Sequence, residues 1–109
     1  METKTALAAL AALAQESRLA VFRLLVQAGP AGMAASKIAE NLDIAPSSLS
    51  FHLKELTHAG LLAAKSEGRF VIYSANVEAM NSLVGFLTEN CCGGLPCGVA
   101  AIDACSSTS

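Results

Sequence analysis

The sequence predicts a mainly α fold with one small β-hairpin, and three observations predict it. Residues 36–60 carry two apolar stripes at helical spacing, separated by a tight connector. A pair of short apolar runs with a turn between them follows at once, the second of them β-branched and aromatic. Apolar segments of helical period flank both features, and 53% hydrophobic content in 109 residues is ample for the core of one domain.

Taken in order, Leu7, Leu10 and Leu13 form a narrow seam in an alanine background, which predicts a first helix over residues 5–14. Inside so small a domain it has little to bury against. Part of its surface is therefore expected at a subunit interface, with ordinary packing on its own domain as the competing reading. Ser17 suits the N-cap of a second helix over 18–28, which Leu19, Val21, Phe22, Leu24, Leu25 and Val26 make apolar nearly all round, as a buried spine. Gly29-Pro30 stops it, and Gly32 extends the loop that follows.

The next helix opens with Met33-Ala34-Ala35-Ser36-Lys37 and shares Ile38 and Leu42 on one face. Asp43-Ile44-Ala45 connects it to a longer helix whose stripe is Leu49, Leu53 and Leu56. Pro46 suits a first turn, Ser47 or Ser48 can cap free amides, and Gly60 can end the run. Two helices at that separation make a helix-turn-helix. Ser47, Ser48, Ser50, Phe51, His52, Lys54 and Glu55 lie off the stripe, and the short polar residues at its N-terminal end can donate to phosphates or base edges. A helical hairpin that binds nothing also has a polar face, but it needs no such run of hydroxyls. His52 is expected on the exposed side as a DNA or phosphate contact, and His58 as a solvated residue near the helix end.

A strand over 61–65, a turn at Ser66-Glu67-Gly68 and a strand over 69–73 read as a hairpin, placed where a wing would lie on the backbone beside a DNA groove. Asn76 can cap a last helix over 77–91, with Met80, Leu83, Val84 and Leu87 on its apolar face and Phe86 beside them. Apolar first and last helices favour a two-fold homodimer presenting two recognition helices to successive major grooves. Residues 1–92 are thus expected to form a winged helix-turn-helix domain for DNA binding and dimerisation. Residues 93–109 change to Gly, Pro, Ala, Ser and Cys and are expected to form a flexible tail.

The net charge of −2 does not advertise a nucleic-acid binder, so any DNA contact must come from local arrangement of the seven lysines and arginines. Lys37, Lys54 and Arg69 fall in the helix-turn-helix or the wing. No apolar stretch is long enough to span a bilayer and the start lacks a signal-peptide pattern, so a cytoplasmic protein is expected. No general base lies beside a nucleophile in a recognisable motif, which argues against an enzyme.

The four cysteines, Cys91, Cys92, Cys97 and Cys105, are confined to the end of the chain. A reducing compartment argues against a disulfide framework. Adjacent residues on a helix point about 100° apart, so Cys91 and Cys92 cannot grip one ion while a helix stays regular. Gly93-Gly94 removes that restriction and allows Cys97 to return. Three thiolates without a histidine or carboxylate partner other than Glu89 make a soft site, and structural zinc would want a fourth ligand. A three-coordinate thiophile, As(III) or Sb(III), fits better. A small buried hydrophobe at Cys91 and a redox-sensing Cys91–Cys97 disulfide are the competing readings, and Cys105 has no assigned role.

The segment L-S-F-H-L-K-E-L-T-H-A-G-L-L over residues 49–62, G-R-F-V-I-Y-S-A over 68–75 and S-R-L-A-V-F-R-L-L over 17–25 together resemble the ArsR/SmtB winged-helix repressors. The resemblance runs to about Pro96. It implies a homodimer that represses an operon and leaves its operator when a metal or metalloid binds. The chain departs from the arsenic-sensing pattern with a C-x-C pair in the first helix of the helix-turn-helix, because residues 33–37 hold no thiol. It departs from the zinc-sensing pattern as well, since 77–90 hold no histidine or aspartate. It is similar instead to a subgroup whose arsenic site lies at the end of the last helix, with T-E-N-C-C at residues 88–92 and a third cysteine soon after. That likeness implies Cys91, Cys92 and Cys97 as ligands. Ser47, Ser48, Ser50, His52 and Lys54 are expected on the groove, with Arg69 on a phosphate. Ligand binding is expected to pull the end of the last helix out of regularity and so shift the recognition helices. A redox-sensing repressor, or one sensing organoarsenicals or a soft divalent ion such as Cd or Pb, is the alternative.

Overall fold

The computed structural model describes residues 1–89, so Cys91, Cys92, Cys97, Cys105, the boundary expected at residue 92 and the tail 93–109 lie outside the described residues. Its elements run α1 (Thr3–Leu13), α2 (Glu16–Ala28), β1 (Met33–Ala34), α3 (Ala35–Leu42), α4 (Pro46–His58), β2 (Leu62–Glu67), β3 (Phe70–Ala75) and α5 (Val77–Leu87). The strands form an antiparallel sheet in the order β1-β3-β2. None of the described helices is long and apolar enough to cross a membrane.

The core is built by the stripes read from sequence. Ile38 of α3 and Leu49, Leu53 and Leu56 of α4 are buried together with Val21, Phe22 and Leu25 of α2 and Leu61 before the wing. Between α3 and α4, Asp43 adopts the left-handed conformation (φ 52°, ψ 49°), and the Ile44 N–H donates to the Ala39 carbonyl at 3.1 Å. An αL residue followed by such a bond reverses the chain within one residue of the helix end. Pro46 opens α4 as expected, but the N-cap is Ala45 and neither Ser47 nor Ser48 caps it.

Several expectations are corrected. Met33 and Ala34 are strand rather than helix, paired with Tyr73 and Ile72 on β3. Gly32 permits this approach: at φ +69° it adopts a backbone that side-chain-bearing residues rarely take, and a Cβ there would lie 2.5 Å from the Tyr73 carbonyl oxygen. The cap of α2 is Gln15, whose Oε1 accepts from the Arg18 N–H at 2.9 Å, rather than Ser17. That helix is one-sided, not buried all round: Leu19 and Val26 are exposed. In α1 the buried stripe is Ala6, Ala9 and Ala12, so Leu7 and Leu10 of the seam point outward. The hairpin loop is Gly68-Arg69, with Glu67 paired to Phe70, so both strands run further than read from sequence. Gly68 at φ 61° in the first central position suits the tight two-residue turn.

Asn76 caps α5 as expected, its side-chain oxygen accepting from the Ala79 N–H at 3.2 Å. The helix ends at Leu87 rather than Cys91. Both the Thr88 hydroxyl, at 2.7 Å, and the Thr88 N–H, at 3.0 Å, donate to the Val84 carbonyl, and the Glu89 N–H turns to Phe86 at 3.3 Å. A threonine whose hydroxyl takes up a backbone carbonyl weakens continuation of a helix. The end of α5 is therefore already irregular before the first cysteine is reached.

Candidate nucleic-acid interface

Burial of Leu49, Leu53 and Leu56 fixes which side of α4 faces away from the domain. The row opposite them is Ser47, Phe51, Lys54 and His58, at spacings of four, three and four residues, and all four are exposed. Ser48 and Ser50 flank that row and are exposed as well. His52 is not on the open side. It is half-buried, and its Nδ1 is enclosed without a hydrogen-bond partner among the described residues.

Ser50 and Lys54 share a cleft of about 270 Å³ with Thr57, His58, Ala64 and Tyr73, between α4 and the foot of the wing. The Thr57 hydroxyl is taken up by the Leu53 carbonyl at 2.7 Å, which leaves Ser50, Tyr73 and Lys54 as the donors in this cleft that can meet a phosphate. Arg69 stands apart at the wing tip and lines a separate hollow with Ser36 at the start of α3. The six residues singled out in sequence therefore divide into the α4 face, its half-buried flank at His52, and the wing tip. Lys65 is engaged with Glu67 at 3.9 Å on the exposed wing, a pairing of little energetic consequence.

Sequence reasoning gives Phe51 only as a residue off the stripe and His58 as a solvated residue near the helix end, where it is found exposed, and assigns Tyr73 and Arg18 no role at the interface. The spacing of Phe51 and His58 from Ser47 and Lys54 carried the signal for the outward row. The approach of Arg18 to Phe51, with the guanidinium 5.9 Å from the ring centroid, links residues far apart in the chain and had none. Among the described residues, no three His, Cys, Asp or Glu side chains gather where they could hold a metal ion.

Known proteins share this fold. A helix-turn-helix domain family matches residues 13–63. The arsenical resistance operon repressor of Bacillus subtilis (strain 168) is 33% identical over 81 residues, 74% of this chain and 73% of that protein. An ArsR-like transcriptional regulator from Rhodococcus sp. RHA1 superposes with a TM-score of 0.71 at 27% identity, covering 79% of this chain and 78% of its own. A homodimeric winged helix-turn-helix DNA-binding domain from Mycobacterium bovis superposes with a TM-score of 0.63 at 26% identity, covering 80% and 81%. Identity at that level over most of both chains, on a common winged scaffold, reflects shared descent, and the chain belongs to the ArsR family of winged helix-turn-helix transcriptional repressors.

Proposed function

We propose that the chain binds its operator as a homodimer and is released by As(III) or Sb(III) held by Cys91, Cys92 and Cys97. The observation that carries this reading is the contrast between two surfaces. The α4 row is polar except for Phe51, whereas α1 and α5 together expose Leu7, Leu10, Val77, Val84 and Leu87. A surface of that apolar character suits a second copy of the chain, and a two-fold axis through it would carry both α4 helices to one face of a duplex. The name of the Bacillus subtilis relative and the homodimeric state of the Mycobacterium bovis domain support the same assignment.

Ser47, Ser48, Ser50 and Lys54 would meet the major groove and its phosphates, His52 would contribute from the flank, and Arg69 would reach the backbone from the wing. Cys91 follows the last residue of α5 by four positions, so a ligand gathered by the three thiols sits next to the helix assigned to the subunit interface. Three thiolates without other donors suit a thiophilic, three-coordinate ion. Because α5 ends at Leu87, ligand binding need not unwind α5 itself.

The test is fluorescence anisotropy of promoter DNA from the protein's own operon, titrated with reduced protein and then with arsenite. Release corresponding to a coupling of roughly 1–3 kcal/mol, about 5–150-fold in affinity, is expected. Serine at Cys91, Cys92 or Cys97 should leave DNA binding intact and blunt release. Loss of DNA binding in all three variants would overturn the ligand assignment. Release by peroxide without arsenite would replace it with a thiol-based redox response, and release by organoarsenicals, Cd or Pb alone would change the inducer.

A further inference from the structure

We propose that Phe51 reads thymine in the operator by packing its ring against the C5 methyl group in the major groove. The inference rests on the operator-binding reading above and deepens it by naming a base. Every other large apolar side chain of α4, namely Leu49, Leu53 and Leu56, is buried, whereas Phe51 is 55% exposed. It stands in the N-terminal half of α4, in the outward row between Ser47 and Lys54, and the N-terminal residues of a recognition helix are the ones that meet base edges.

The ring is also held by its neighbours. The Arg18 guanidinium lies over it at 5.9 Å from the centroid, and the His52 ring approaches edge-on at 6.0 Å with an interplanar angle of 64°. Arg18 is itself anchored at the start of α2, where its Nη1 donates a long hydrogen bond to the Ala12 carbonyl at 3.5 Å and its Nε is enclosed. A cation above an aromatic face and a second ring at its edge are both favourable arrangements, and together they limit the rotation of the phenyl group.

The chemistry of the groove selects the partner. A phenyl ring neither donates nor accepts a hydrogen bond of ordinary strength. Guanine, cytosine and adenine present donors and acceptors on their major-groove edges, and only thymine adds an apolar group there. Against thymine the ring buries a methyl. Against the other edges it strips water from polar atoms and returns nothing, so the same side chain favours one base and penalises the rest.

The experiment uses the full chain, reduced, and the promoter DNA from its own operon, with thymines replaced one at a time by uracil, which differs only in lacking the methyl. At the one thymine of a half-site that the ring covers, the wild-type chain is expected to lose about four-fold in affinity when that single methyl is removed, the worth of one buried apolar carbon. Phe51→Ala should bind thymine DNA more weakly and no longer distinguish it from uracil DNA at that step. Phe51→Leu should keep part of the discrimination. Unchanged thermal melting would show that the variants fold. Tight binding by the wild type with indifference to every uracil substitution overturns the thymine inference and leaves the repressor reading standing, as does a Phe51→Ala chain that still discriminates. Failure of the wild type to bind the promoter at all overturns both.

Discussion

Helices α1 and α4 are built on opposite plans. In α4 the leucines Leu49, Leu53 and Leu56 are buried and the outward residues are mostly polar; in α1 the alanines Ala6, Ala9 and Ala12 are buried and Leu7, at 59% exposure, points out. Helix α5 mixes the two plans: it buries Leu83 but leaves Val84 and Leu87 more than half exposed at 53% and 57%. A helix that buries its large side chains is held by its own domain and is free to offer hydroxyls and charge. A helix that buries alanine comes close to its neighbours and keeps its large side chains for something outside the fold. The difference separates the surface suited to DNA from the surface suited to a second subunit.

The largest expected effect comes from removing the anchor of α4. Leu53 is buried between α4 and the rest of the core, so Leu53→Ala should cost about 3 kcal/mol of unfolding free energy in a chemical denaturation experiment. If it costs little, the recognition helix is not held in the way described. Next is the outward face of α1. Leu7→Glu should leave the fold of one subunit unchanged, because Leu7 is exposed there, but should weaken association by about 2 kcal/mol by placing a charge in an apolar interface. Sedimentation at several concentrations would show the shift toward monomer. A Leu7→Glu chain that remains fully dimeric would remove α1 from the interface.

Much of the α4 plan was legible in the sequence because a leucine stripe in a helix with polar flanks has one sensible orientation. The α1 plan was only half legible. Leu7, Leu10 and Leu13 form the seam visible in sequence, yet which side faces the domain depends on how closely α1 approaches its neighbours, and closeness is a tertiary quantity. The two-residue strand at Met33–Ala34 was missed for a related reason: its partner β3 lies far along the chain, and the signal was a single glycine, Gly32, whose need for a positive φ shows only against Tyr73. At the candidate interface the serines, Lys54 and Arg69 are visible by residue type and spacing, while Phe51 is legible only as a residue off the stripe, because nothing local in the sequence shows that Arg18 and His52 pack around its ring. The early end of α5 was hidden because Thr88 is unremarkable by propensity until its hydroxyl meets the Val84 carbonyl.

A smaller effect tests the buried side of α1. Ala9 is 1% exposed, so Ala9→Leu should overpack the contact and lower stability by about 1.5 kcal/mol, measurable as a fall in melting temperature. The same residue type is added on the inner side that Leu7 already supplies on the outer one. Were Ala9→Leu neutral, α1 would be loosely seated and the alanine stripe would no longer explain the close approach.

The smallest expected effect lies where the two surfaces meet. Asn76 makes three connections: its N–H donates to the Leu61 carbonyl at 2.8 Å, its side-chain oxygen caps α5 at Ala79, and its Nδ2 donates to the Gly60 carbonyl at 2.9 Å. Gly60 and Leu61 follow Ala59, the C-cap of α4, so the Asn76 side chain, through Gly60, fastens the start of α5 to the end of the recognition helix. Asn76→Ala should lose the cap and the fastening together, about 1 kcal/mol of stability. Asn76→Asp keeps an oxygen for the cap but has no donor for Gly60, so it separates the two roles. If the fastening carries motion between α5 and α4, Asn76→Asp should retain most of the stability and operator affinity while arsenite releases DNA less completely than from the wild type. Equal release from both chains would mean that α5 and α4 are coupled through the packed core around Leu83 and Leu61 instead.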